Sequence, residues 1–383
     1  MTPASLTIAQ QLKQTLRQGL EPLGQFESCA LLNYPNYGNI GDHLIGLGTI
    51  IHLTEVVGTR IAYCASIDSF DRAEMDRKIG EGTPILMQGG GNFGDIWYEH
   101  QKFREDIIRR YPKNPIVILP QTIYFTNEGC LKEARKAFRD HPNLTIFCRD
   151  TTSFEFAQQQ FGQHHLHLCT DMAFALADMP GLSPSPPSTG ATMYMRRKDK
   201  ELNQGITPEL LGTNLVIEDW ESYNYRWMLD DVVEAAVKRK FFVDFGRPQS
   251  VAVRGLATLI REGWQRGLSR PQERAARRQW LKDHPYRALF QQHDHPHLYE
   301  LSLSLIHSGM YQFAQYPRVV TSRLHGHILS LLMGIPHIFL PNSYHKNTKF
   351  YENWTHIAPF CEFVDDDRQL RDALAQLEGR AAA

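Results

Sequence analysis

CALLNYPNYGNIGDHLIGLGTIIHL, residues 29–53, reads as a strand, a glycine-bearing loop and a helix in succession. CALLNY is a short apolar run, whereas HLIGLGTIIHL carries apolar residues at helical spacing. The same parts recur downstream. PILMQ (84–88), PIVILPQT (115–122), LTIFCRD (144–150) and HLHLCTDMAFAL (165–176) supply further strands. Between them, EGCLKEARKAFRD (128–140) and TTSFEFAQQQF (151–161) have helical patterns. Strands alternating with helices predict βαβ units and a mostly parallel sheet.

Outward from this block, MPGLSPSPPSTG (179–190) is rich in proline, serine and glycine, a composition that favours an extended connector. The reading therefore places one α/β lobe at residues 1–178 and a linker at 179–190. A second α/β lobe occupies 191–362, with ATMYMRR, LVIEDW, RVVTSR and PHIFLP as its strands. Residues of about 227–311 form a helical insertion in that lobe, and 363–383 a closing helix and tail. At the amino end, Leu12, Leu16 and Leu20 recur at helical spacing on an amphipathic helix. Two parallel-sheet lobes predict an interdomain cleft at the carboxyl ends of the strands.

The bulk numbers narrow the function classes. The 383 residues are 42% hydrophobic and 22% charged, an ordinary globular balance. Lysine plus arginine number 41 against 42 acids, so no global attraction to nucleic acid is expected. Anion specificity must be local. The six cysteines form no CxxC pair, which argues against a zinc knuckle and fits a reducing, cytoplasmic setting. The longest late apolar run, Ile328 to Leu340, is too interrupted to span a bilayer. The basic stretch ERAARRQWLKDHPYRALF (273–290) leaves peripheral contact at the inner membrane face open beside a plain solvated helix. Oligomeric state is not readable.

Five segments carry candidate chemistry. In PNYGNIGDHLIGLG, Asn39 and Asp42 stand at a helix start, where Asp42 serves either as base or acceptor for a sugar hydroxyl or as a helix cap. In QGGGNFGDIW (88–97), three glycines suggest a ligand-facing loop, with Asn92 and Asp95 to bind hydroxyls and Trp97 to stack on a sugar. Neither segment matches a dinucleotide fingerprint or a Walker loop. Arg196 and Arg197 end a strand, where one of the two can grip a carboxylate or phosphate. TSRLHGHILSLLMGIP (321–336) joins a strand to a helix and offers Arg323, His325 and backbone N–H groups to one anion, with His327 read as structural. In the loop LPNSYHKNTKFYENW (340–354), Lys346 and Lys349 add positive charge. The histidines at 164–167 and 293–297 lack a carboxylate or cysteine to complete a metal set, and read as surface turns.

Taken in order, GNIGDHLI, GGGNFGD, LPQT, CRD, TDMAFAL and SRLHGHILSLLMGIP resemble the polysaccharide pyruvyl transferase family, its bacterial exopolysaccharide branch above all. The resemblance implies two lobes similar to GT-B glycosyltransferases, phosphoenolpyruvate as donor, and a sugar of a polysaccharide or lipid-linked glycan as acceptor. It maps donor contacts onto Arg196 or Arg197, Arg323, the Leu324 backbone and His325, with Lys346 in support. Acceptor contacts fall to Asn39, Asp42, Asn92, Asp95 and Trp97. His325 would protonate the donor and Asp42 would take a hydroxyl proton. That charge balance calls for neither metal nor cofactor. The alternatives are a nucleotide-sugar glycosyltransferase on the same scaffold and a non-catalytic glycan- or anion-binding partner in a biosynthetic complex.

Overall fold

Thr7 starts the chain's first helix, α1 (Ile8–Gly19), through a reciprocal cap. Its hydroxyl accepts the Gln10 N–H, and the Gln10 side chain accepts the Thr7 N–H. The computed structural model describes residues 7–182, 189–202, 214–220 and 271–380. The middle of the linker and residues 227–270 of the helical insertion lie outside the described residues.

The first sheet contains β1 (Ser28–Leu32), β2 (Arg60–Ala65), β3 (Ile85–Met87), β4 (Gly90–Gly94), β5 (Ile116–Tyr124), β6 (Leu144–Cys148) and β7 (His165–Leu168). Its order is β2-β1-β3-β5-β6-β7, with β4 paired to the far half of β5, and every pair is parallel. Helices α2 (Ile40–Ile51), α3 (Arg72–Lys78), α4 (Tyr98–Arg110), α5 (Glu128–Arg139) and α6 (Thr151–Phe161) make the crossovers. Crossover helices cover both faces, which is why β1 and β5 read as continuous apolar runs without alternation.

The second sheet has β8 (Thr192–Met195), β9 (Leu215–Glu218), β10 (Arg318–Thr321), β11 (His337–Phe339) and β12 (Cys361–Phe363), ordered β12-β11-β10-β8-β9 and again all parallel. Its described helices are α7 (Pro271–Asp283), α8 (Tyr286–Phe290), α9 (Pro296–Ala314), α10 (Leu324–Met333), α11 (Lys346–Phe350) and α12 (Asp367–Arg380). The fold is thus α/β with two parallel sheets flanked by helices, the two-lobe, Rossmann-like, GT-B-like class.

The glycine run differs from the predicted loop, because Gly90–Gly94 forms the short strand β4. A Cβ on Gly94 would lie 1.7 Å from the Tyr124 carbonyl oxygen, so only glycine lets this strand approach β5.

The linker separates the sheets but not the core. One apolar cluster runs from α1 and α2 through the Met172–Leu176 turn to α9 and α10. α2 continues as a π-helical turn, and the resulting Ile40–Val57 segment is apolar and long enough to cross a membrane, yet 72% of it is buried inside the fold. α9 is fastened to the first lobe by Ser302, whose hydroxyl meets Tyr34 Oη at 2.8 Å and His43 Nδ1 at 2.8 Å. Burial pushes His43 down to about 4, so it sits there neutral. Ser302→Ala strands a buried phenol and one nitrogen of a buried imidazole. It should destabilise the protein by about 1–3 kcal/mol, read as a lower urea midpoint at unchanged slope.

Candidate active site

The carboxyl ends of the second sheet's strands carry a tight charge cluster. Just past β8, the buried Arg197 holds Asp199 in a two-pronged contact at 2.8 and 2.9 Å and lies 3.2 Å from Glu201. Arg323, after β10, grips Asp219 at the end of β9, one contact being 2.7 Å, and reaches Asp199 at 3.4 Å. Lys346, after β11, is ion-paired with Glu201. Burial pushes the Lys346 ammonium down to about 8; Glu201 opposes the fall, while Arg197 and Arg149 add to it. Burial alone would raise the Glu201 carboxyl, but Lys346 and then Arg197 outweigh it and bring it to about 2. Of the adjacent arginines, Arg197 enters the cluster, while the half-buried Arg196 donates its backbone N–H to Glu218 O.

Arg323 is also the residue before α10, and no side chain caps that helix. The first-turn N–H groups of Leu324 and its neighbours therefore lie beside the guanidinium, an arrangement that suits an anion. Gly326, one position beyond His325, is required by packing, since a Cβ there would meet Thr321 Oγ1 at 2.5 Å.

His325 points at the first lobe. A Cβ on Gly41 would fall 2.5 Å from its Nδ1 and 2.7 Å from its Cβ. The other ring nitrogen, Nε2, lies 3.5 Å from Asp171 Oδ2, and Arg149 donates to the same oxygen at 2.7 Å. Burial would raise the Asp171 carboxyl, but His325 and then Arg149 hold it well below the usual carboxylate range. The glycine run makes room for this meeting of lobes. The vacant Cβ position of Gly91 is 3.0 Å from Arg149 Nη2 and 3.7 Å from Lys346 Nζ.

The remaining predicted residues divide into two groups. Asn39 caps α2, accepting the Gly41 N–H at 3.1 Å, and its amide donates to Asp42 Oδ2 at 2.7 Å. Tyr37 Oη donates to that oxygen as well, at 3.0 Å. Asp42 is half-buried at the rim, its Oδ1 across from Gly90. Trp97 reaches the charge cluster, donating Nε1–H to Glu201 at 3.3 Å, with Lys200 over its ring. Asn92 and Asp95 stand apart from it. The Asn92 side-chain oxygen Oδ1 accepts from Arg104 and Gln121, and Asp95 accepts the Thr126 N–H and hydroxyl. Both are half-buried and bond within the first lobe. Sequence reasoning did not single out Arg149, Asp171, Asp199, Glu201 or Asp219. The usable signal was position, since Arg149, Asp171 and Asp219 each follow a strand by one to three residues.

Two lobes meeting at strand ends, with clustered cations and a histidine between them, suit transfer from an anionic donor. The family description polysaccharide pyruvyl transferase matches residues 39–344. The chain belongs to the polysaccharide pyruvyl transferase family. Among its relatives, EpsO of Bacillus subtilis is 32% identical over 92% of this chain and 93% of its own length. Pyruvyl transferase 1 of Schizosaccharomyces pombe is 27% identical over 85% of this chain and 69% of its own. A crystal structure of an uncharacterized Klebsiella pneumoniae protein covers 94% of this chain and 99% of its own at a TM-score of 0.52 and 17% identity, a likeness of fold. As a member of the polysaccharide pyruvyl transferase family, this chain is a transferase. The matched span includes Arg197, Arg323 and His325.

Proposed function

We propose that the chain moves the pyruvyl group of phosphoenolpyruvate onto two hydroxyls of one sugar in a polysaccharide or its lipid-linked precursor, forming a ketal and releasing phosphate. The observation that carries this reading is the Arg323–Leu324–His325 corner, where a guanidinium, an uncapped helix start and an imidazole converge. Phosphoenolpyruvate has a carboxylate and a phosphate, and Arg197, Arg323, Lys346 and the α10 N–H groups complement both.

In the reaction, His325 in its imidazolium form gives a proton to the donor's methylene carbon, making it a methyl group. Asp171, 3.5 Å from Nε2, orients the ring, and Gly41 packs against its other edge. The adjacent carbon becomes electrophilic, and one sugar hydroxyl adds there as its proton passes to Asp42. Phosphate departs with the C–O bonding pair. A second hydroxyl of the same sugar then closes the ketal and gives its proton to the now neutral His325, while Asp42 passes its own to the departing phosphate. Cytoplasmic placement, with peripheral contact through the α7 region, is part of the same proposal, since lipid-linked precursors lie at a membrane face.

The direct test is calorimetric titration with phosphoenolpyruvate, followed by phosphate release on adding candidate glycans. Saturable donor binding supports the reading. No binding even with acceptor present, together with binding of a nucleotide sugar, would replace it with glycosyl transfer.

Two further results are expected. Gly41→Ala should push the His325 ring off its position and lower turnover about tenfold or more, since ångström-scale misplacement is costly; donor affinity should change little. Lys346 carries its proton below a pKa of about 8 and loses it above. Donor affinity should therefore fall as pH rises past that value, by at most about tenfold per unit. Lys346→Arg, charged throughout, should flatten the profile. A wild-type profile flat through this range would contradict the donor role of Lys346.

A further inference from the structure

Behind the cleft, on the opposite side of α10 from His325, three buried side chains converge. His327 comes from α10, His337 from β11 and Cys361 from β12. His327 Nδ1 lies 2.7 Å from His337 Nε2 and 3.6 Å from Cys361 Sγ, and the three ligand atoms all fall within 4.8 Å of one another. Among the described residues, this is the group of histidine, cysteine and acid side chains able to hold a metal ion. Each ring is oriented from outside. His337 Nδ1 lies 2.8 Å from Ile335 O, so that nitrogen carries the proton and Nε2 points its lone pair inward. His327 Nε2 lies 2.9 Å from Thr355 Oγ1, and Phe339 stacks on the His327 ring at 4.0 Å. Outer hydrogen bonds of this kind fix the tautomer and direction of ligating histidines.

We propose that His327, His337 and Cys361 bind one monovalent copper ion, Cu(I), in a three-coordinate site of two nitrogens and one sulfur. Charge selects the ion. Both histidines are fully buried, Cys361 is nearly so, and no carboxylate belongs to the group. Cu(I) binding forms one Cu–S and two Cu–N bonds while the Cys361 thiol releases its proton. His327 keeps its proton but moves it from Nδ1 to Nε2, where Thr355 Oγ1 accepts it. One proton leaves as one monovalent ion enters, so no net charge is placed in the low-dielectric interior. Zn(II) would leave one positive charge over and would want a fourth ligand. A thiolate with two imidazoles also matches the softness of Cu(I). The two ring nitrogens must part by roughly 0.7 Å, given metal–nitrogen bonds of about 2.0 Å. The site is enclosed, so the ion enters while the second lobe folds.

The proposal is independent of the donor and acceptor assignments. To test it, the whole chain is refolded anaerobically with Cu(I), then challenged with bicinchoninate as a competing chelator. Wild type and a Cys130→Ser control should retain about one copper per chain and show one sulfur and two nitrogen neighbours by X-ray absorption. Cys361→Ser should bind weaker by about 10²-fold or more, beyond the loss that an outer hydrogen-bond partner brings. His337→Gln gives a second reading should Cys361→Ser fold poorly, with near-ultraviolet dichroism as the folding control. Copper lost to the chelator, equal retention in the folded variants, or selective retention of Zn(II) over Cu(I) would each overturn the proposal.

Discussion

Arg323→Ala should abolish measurable phosphoenolpyruvate binding. The residue is 3% exposed and its guanidinium is pinned by Asp219 and Asp199, so it is held in place before any donor arrives. Charge-assisted hydrogen bonds contribute about 1.5–3 kcal/mol each, and two such bonds to the donor's anion would double that. Loss of the pair therefore predicts an affinity drop of about 10²–10⁴-fold. The substitution also leaves Asp219 without its cation, while Asp199 keeps Arg197, and removing one partner of a buried pair costs about 3–5 kcal/mol of stability. Arg323→Lys separates the two effects. It retains the charge for Asp219 but not the planar fork, so the protein should melt near wild type while donor affinity stays well reduced. Calorimetry beside a thermal melt reads both quantities. Wild-type affinity in a folded Arg323→Ala protein would remove this arginine from the donor site.

His325→Ala should behave in the opposite way, with donor binding largely retained and turnover lowered by about 10²–10⁴-fold, the usual range for a general acid. The geometry separates the roles. His325 sits at the first turn of α10, beside the cations but turned toward Gly41 and Asp171 of the other lobe. Asp171→Asn tests the anchor without touching the donor. It weakens the hold on Nε2 and leaves Arg149 without its buried carboxylate, so turnover should fall while donor affinity holds. Single-turnover phosphate release with a glycan acceptor is the measurement. Near-wild-type release by His325→Ala at unchanged affinity would leave the proton transfer to another group.

The alternation of short apolar runs with helical patterns was enough to read two parallel sheets, because crossover helices bury both faces of each strand. Less legible was anything set by a single-residue offset or by distant partners. The doubled arginine after β8 could not be resolved in sequence, since side-chain alternation depends on where the strand stops. A lysine in a polar loop usually meets water; Lys346 is buried because Glu201, 145 residues away, receives it. The acids Asp171, Glu201 and Asp219 escaped notice for the same reason, as each acquires meaning only from the cation that folding brings to it. Asn92 and Asp95 lay in the most suggestive glycine run, yet their hydrogen bonds go to Arg104, Gln121 and Thr126 of the same lobe. The glycines themselves clear space for Arg149 and Lys346, a role that no local pattern encodes.

The Ser302 fastening of α9 to α2 bears on how members of this family can be recombined. A chimera joined at residues 179–190, with the front half of one parent and the back half of another, would set α9 against a foreign α2. The Tyr34–Ser302–His43 contacts would then have to be matched across parents, along with the apolar faces around them. Exchange of the proposed acceptor preference is better sought by grafting the strand-end segments that carry Asn39 and Trp97. Those can be changed while the helices that weld the halves together are inherited from one parent.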